Sequence, residues 1–214
     1  MTIKLYANLI SQPSRAAEWV LRLKKQDHEL VMTDFGSPTF KSPEFLAMNP
    51  NGLIPVLQDG DFSLFEGNAI MPYLAEKRAG PRQGEPVLAL APHERPSHHV
   101  QSAGADHAHQ TEHCDIRGGC VRQGHARSPH QTSGVMEKFL VKDFVAETDH
   151  PTVADFAAYC EFVQIELMGI FDYSKYPKVS AWIERMKKLP HHDEIHATLD
   201  SFLASSGLKT KASS

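Results

Sequence analysis

Apolar and polar residues change their period twice along this chain. In "TIKLYA" the residues Ile3, Leu5 and Ala7 recur every second position, which predicts a strand with one buried face. Pro13 then opens a helix that carries Ala16, Ala17, Val20, Leu21 and Leu23. "ELVMTDF" predicts a second strand, and "SPEFLAMN" a short helix with Ser42 as N-cap and Pro43 at its first position. "NPNG" is a turn, and "LIPVLQDGDFSLFE" reads as two short strands joined at Asp59-Gly60, a strong hairpin signal. A third helix is expected from Glu66 to Arg78, with Pro72 inside it at a cost of roughly 3 kcal/mol or a kink.

The order β-α-β-α-β-β-α describes a small mixed sheet with helices packed on it, a thioredoxin-like pattern. From about Val135 the period is helical. "VMEKFLVKDF" is a short amphipathic piece, and "PTVADFAAYCEFVQIELMGIF" is apolar nearly all round, as a helix buried among others would be. Thr152 followed by Asp155 is a variant capping box. A last helix, "PKVSAWIERMKKL", starts at Pro177 and ends before Pro190, and the tail "ASSGLKTKASS" is expected to fray. The fold class is therefore an α/β thioredoxin-like N-terminal domain over residues 1–78 and an all-α C-terminal domain over 79–214.

Between the halves, residues 80–132 follow neither period. Eight of the thirteen histidines fall there, every basic residue is Arg, and no Phe, Tyr, Trp or Met occurs between Tyr73 and Met136. Six branched aliphatics in this stretch are too few to build two long core helices.

Charge and cysteine content narrow the partners. Lys and Arg number 22 against 26 Asp and Glu, a net charge of -4, so neither nucleic acid nor an anionic membrane surface is indicated. No stretch reaches the length of a membrane span, and the N-terminus lacks the apolar core of a secretory leader. Cys114, Cys120 and Cys160 are too few and uneven for a secreted disulfide framework. A cytoplasmic protein with reduced thiols and small-molecule or protein partners is expected.

Candidate chemistry sits at the helix starts. Ser11 and Ser14 lie where the first strand passes into the first helix, near unpaired backbone N–H groups and the positive helix end, a place suited to an anion. Either hydroxyl could instead only cap the helix. Pro55 inside a strand-like run points to an edge or a cis turn. Glu66 and the bare N–H of Gly67 open the third helix, where a carboxylate and backbone donors can hold a zwitterionic amino-acid group.

Together, "LYANLISQPSRA", "FKSPEFLAMNPNGLIPVL", "DGDFSLFEGNAI" and "YLAEKR", with "HPTVADFAAYCEFVQIEL" and "YPKVSAWIERMKKLP" later, resemble a theta-like glutathione transferase over about three quarters of the chain. The resemblance implies that Ser11 hydrogen-bonds the sulfur of glutathione and that Lys41, Leu53, Ile54, Glu66 and Gly67 bind the tripeptide. It implies conjugation of the glutathione thiolate to small electrophiles, dehalogenation being a narrower form, in a homodimer with glutathione as co-substrate and no metal. A non-catalytic glutathione-binding or interaction module with the same fold is the alternative.

Two departures from that family stand out. Gly67 replaces a serine common in relatives, losing a hydroxyl bond to a carboxylate worth about 1.5 to 3 kcal/mol. Residues 80–132 stand where two long helices are expected to line the electrophile pocket and build much of a dimer interface. A metal site drawn from His107, His109, His113, Cys114, Cys120, His125 and His130 fits no closed Cys/His spacing. A natural insert would lengthen the chain, whereas here the stretch replaces helices at nearly constant length. The reading adopted is a compensated frameshift, lost near Gly80 and recovered near Gly134, in which the histidines are no one's ligands.

Overall fold

The computed structural model describes residues 2–77 and 128–207. Four strands form one sheet: β1 (Ile3–Ala7), β2 (His28–Met32), β3 (Val56–Asp59) and β4 (Phe62–Phe65), in the order β2-β1-β3-β4. β1 pairs parallel with β2, with Leu5 opposite Leu30, and antiparallel with β3, with Tyr6 opposite Val56. β4 returns along β3 with Val56 opposite Phe65. Ile3, Leu5 and Ala7 are the buried set on β1, as the alternation predicts.

Three helices belong to this half: α1 (Gln12–Leu23), α2 (Pro43–Met48) and α3 (Gly67–Glu76), with a 3-10 turn over Pro38–Lys41. Ser42 caps α2 through its hydroxyl, which accepts from Phe45 N–H at 3.2 Å. The hairpin turn is Gly60-Asp61 rather than Asp59-Gly60, because Asp59 still pairs with Phe62. Asp59 is kept in the strand by its carboxylate, which accepts from Tyr73 Oη at 2.5 Å and is ion-paired with Lys77, pinning α3 to the hairpin. α3 begins one residue later than expected, with Glu66 as its N-cap. It runs through Pro72 without a break. Pro72 and Asn68, whose carbonyl loses its donor, are both exposed, so water can take the missing bond.

The second half holds α4 (Pro129–Phe139), α5 (Val153–Leu167), α6 (Pro177–Lys187) and α7 (His192–Ser205). α4 starts inside the stretch that lacks a sequence period, under a capping box of Ser128 and Gln131. The metal, insert and frameshift readings otherwise lie outside the described residues. α5 opens with the expected capping box, Thr152 donating from both N–H and hydroxyl to Asp155 Oδ2 at 2.8 Å. α6 is not the last helix, since α7 follows it and buries Ile195, His196, Leu199 and Leu203.

α1 joins the halves. Arg15, Trp19 and Arg22, at i, i+4 and i+7, form one stripe toward α5 and α7. Trp19 is fully buried between Phe156 and Tyr159 of α5 and His192 and His196 of α7, with ring centroids 5.1 to 5.6 Å away. Among the described residues no helix is long and apolar enough to cross a membrane.

Candidate active site

The sheet register brings three chain turns to one end. Tyr6 opposite Val56 and Val56 opposite Phe65 put the exit of β1, the approach to β3 and the exit of β4 side by side. Those turns carry Ser11, Leu53 with Ile54, and Glu66 with Gly67.

At the first turn, Ser11 N–H donates to Asn8 O at 2.9 Å, and Asn8 is itself held by Thr33 O at 3.3 Å and by Ile10 N–H at 3.0 Å. Ser11 is the N-cap of α1, extended at φ -76° and ψ 129°, yet its hydroxyl makes no capping bond and is half-buried. The capping-only reading of Ser11 therefore does not hold. No acidic residue of α1 itself lies in its first turn. Ser14, one turn in, is wholly buried and its hydroxyl has no partner.

At the second turn the Ile54–Pro55 bond is cis. Asn49 Nδ2 donates to Leu53 O at 2.7 Å, leaving the Leu53 side chain exposed. Gly52, at φ +63°, lies against the turn that ends in Lys41: a Cβ on it would come 2.9 Å from Phe40 O. Lys41 is exposed and has no ion-pair partner among the described residues.

At the third turn Glu66 adopts φ 73° and ψ 116°, a region rarely used by residues other than glycine and costing about 1 to 3 kcal/mol. Its exposed carboxylate makes no capping bond, while its carbonyl accepts from Ala69 and Ile70 N–H at 2.9 Å. Gly67 touches Pro13 so closely that a Cβ would lie 2.7 Å from the proline Cβ. The N-termini of α1 and α3 thus abut, which brings Ser11 and Glu66 to one place. The contact leaves position 67 no room for a side chain.

Sequence reasoning missed Arg15. It is 0% exposed, and its Nη1 donates to Leu9 O at 3.0 Å and Ile10 O at 2.8 Å. Nη2 donates to Cys160 O at 3.2 Å and to Gln164 Oε1 at 2.7 Å on α5. Burial pulls Arg15 below the usual arginine value, opposed by Cys160 and Glu161. Partial desolvation raises the carboxyl of Glu161, a residue that stays exposed at the surface, against the pull of Arg15 and a hydrogen bond from Gln12. Cys160 is a free, buried thiol pushed up to about 12, which leaves it unreactive. No group of three or more metal-ligating side chains occurs among the described residues.

Residues 1–76 match the family described as "Glutathione S-transferase, N-terminal domain". Glutathione S-transferase 3 of Zea mays is 32% identical over 72% of this chain and 73% of its own. Glutathione S-transferase theta-1 of Bos taurus is 27% identical over 87% and 83%. Glutathione S-transferase T2 of Arabidopsis thaliana is 27% identical over 93% of this chain, which spans 37% of that longer protein. The solved glutathione transferase of Bombyx mori named BmGSTD1, in complex with GTT, superposes with a TM-score of 0.70 at 25% identity, covering 96% of this chain and 97% of its own.

Proposed function

The chain belongs to the glutathione S-transferase family, with theta-like relatives, and from that premise we propose that it conjugates glutathione to small electrophiles with Ser11 at the sulfur. The contact of Pro13 with Gly67 carries the reading, because it unites an uncapped hydroxyl at one helix start with a strained, uncapped carboxylate at the other.

A free thiol has a pKa of about 8.5, so only a few per cent is thiolate at neutral pH. The Ser11 hydroxyl donates to the thiolate, and the N-terminus of α1 adds its positive field, so the proton leaves to solvent at lower pH. The thiolate sulfur then forms the bond to an electrophilic carbon, whose leaving group departs with its electron pair. Glu66 takes the γ-glutamyl ammonium, with Gly67 N–H and the backbone at Leu53 and Ile54 along the peptide, and Lys41 pairs with the glycyl carboxylate. The strain at Glu66 is consistent with a residue held for binding rather than for stability.

The same reading makes the protein a cytoplasmic homodimer that removes reactive electrophiles. Exposed apolar side chains of the first half, Phe35 and Leu53 the most open of them, are available to contact a second copy. The deciding experiment titrates the ultraviolet absorbance of enzyme-bound glutathione thiolate against pH, alongside turnover of a generic aryl halide. Ser11→Ala is expected to raise the bound thiol pKa by one to two units, since a charge-assisted bond of about 1.5 to 3 kcal/mol is lost. An unshifted titration in Ser11→Ala would remove Ser11 from the sulfur, and glutathione retention without turnover in the unaltered protein would make it a binding module.

A further inference from the structure

A guanidinium that is 0% exposed and donates to four neutral oxygens, with no carboxylate among its hydrogen-bond acceptors in the described residues, is a costly thing to fold into a core. A leucine or methionine would fill that space without desolvating a charge, so packing alone does not account for Arg15.

Its bonds divide in two. Nη1 reaches forward to the carbonyls of Leu9 and Ile10, the two residues immediately before Ser11. Nη2 reaches across to Cys160 O and Gln164 Oε1, on the third and fourth turns of α5. All four N–H groups at the tip of the fork are used, and only Nε is left without a partner. The two carbonyls are thereby fixed to a helix of the other half of the molecule. Through them the position of the following residue, whose hydroxyl makes no bond of its own at the helix start, is fixed as well.

We propose that Arg15 is a positioning residue for thiol activation, clamping the Leu9–Ile10 turn to α5 so that the Ser11 hydroxyl meets the glutathione sulfur. The inference rests on the role proposed for Ser11. Gln164 is the side-chain half of the clamp on α5, so changes in the helical half reach the glutathione site through it. Lysine cannot replace Arg15, because one ammonium cannot face two pairs of acceptors on opposite sides.

The test measures three things in the full chain: the pKa of bound glutathione, kcat and KM for glutathione, and the melting temperature. Arg15→Lys keeps the charge and loses the fork, and it is expected to raise the bound thiol pKa by about one unit, a tenfold loss of thiolate. Gln164→Leu removes one bond from a half-buried side chain on α5, and it is expected to raise that pKa by about half a unit, roughly threefold. Both should lower kcat at neutral pH more than they change KM. At a pH above the shifted pKa kcat should recover, which a merely structural role would not produce. Should Arg15→Lys fail to fold, Gln164→Leu decides alone. Lower melting temperatures with an unmoved thiol pKa would overturn the proposal, leaving Arg15 a structural arginine. If Ser11→Ala shifts the thiol while Gln164→Leu does not, the clamp fails and the role of Ser11 stands. If Ser11→Ala leaves the thiol unmoved, the role of Ser11 fails, and this proposal with it.

Discussion

Gly67 and Pro13 meet where two helices begin, with no space between them for one more carbon: a Cβ on Gly67 would lie 2.7 Å from the proline Cβ and 3.4 Å from its Cα and O. The proline is a rigid ring in the first turn of α1, so it cannot yield as a flexible side chain would. Gly67→Ala and Gly67→Ser are therefore expected to push the two helix starts apart and to cost about 1 to 3 kcal/mol, as overpacking does. Ser11 lies two residues before Pro13, so KM for glutathione should rise in both variants. With the helix starts displaced, the added serine hydroxyl is not expected to tighten glutathione binding. Denaturant midpoints together with glutathione affinity measure this, and a Gly67→Ser protein of unchanged stability and tighter binding would contradict it.

Ser11 and Ser14 are separated by one turn and are expected to respond oppositely. The Ser14 hydroxyl is buried without a partner, so Ser14→Ala removes a desolvated group and returns nothing to water. Ser14→Ala should be neutral or stabilising by up to about 1 kcal/mol, with the bound thiol pKa unmoved. Thermal melts and the thiolate titration of both variants check the pair; a thiol shift in Ser14→Ala alone would reassign the hydroxyl.

Much of this architecture was legible because local rules and tertiary packing agree. The alternation of Ile3, Leu5 and Ala7, the Ser42 cap and the Thr152–Asp155 box each act over a few residues, and the structure keeps all three. α7 escaped because its start has no capping signal: His191 is a left-handed N-cap whose ring faces Glu194 at 3.4 Å and makes no capping bond to the backbone. Its buried face also includes His196, which pattern counts as polar. Arg15 escaped for a related reason. A charged residue in the first turns of a helix reads as surface, and only the placement of α5 over α1 puts it inside. The reason for Gly67 lies in Pro13, fifty-four positions away, and no local pattern carries that.

The frameshift reading of residues 80–132 makes its own prediction. Translation of the other two frames across the codons for Gly80 to Gly134 should restore lysines, aromatics and an apolar period of 3.6. Resequencing that DNA should then locate a compensating pair of insertions or deletions. Alternative frames that carry stop codons, or no helical period, would rule the reading out.

Stability should peak near neutral pH because two histidines pull in opposite directions. His28 Nε2 lies 2.9 Å from Glu18 Oε2, a buried carboxylate that also accepts from Arg22 Nε at 2.7 Å, and Arg22 continues to Glu194 of α7 at 2.5 Å. The bond to Glu18 raises the His28 pKa against its burial. A raised histidine stabilises fully below its unfolded value of about 6.5, and that stabilisation is lost as pH climbs through the folded value. His196 behaves in reverse. Its Nδ1 donates to His192 O at 2.8 Å, leaving Nε2 as a buried acceptor with no partner, so a proton there would create an unpaired charge. Burial lowers its pKa to about 3, with the charges of His192 and Arg15 adding to the effect and Asp193 and the His192 carbonyl opposing it. The unfolded chain binds that proton from about pH 6.5 downward while the folded chain refuses it, so stability falls toward about pH 3. His196→Phe, which keeps a ring against Trp19 and Tyr159, should flatten the acid limb, and His28→Gln the alkaline one. Urea midpoints measured from about pH 4 to about pH 9 read both limbs at once. An acid limb of unchanged slope in His196→Phe would mean that other groups carry the acid sensitivity.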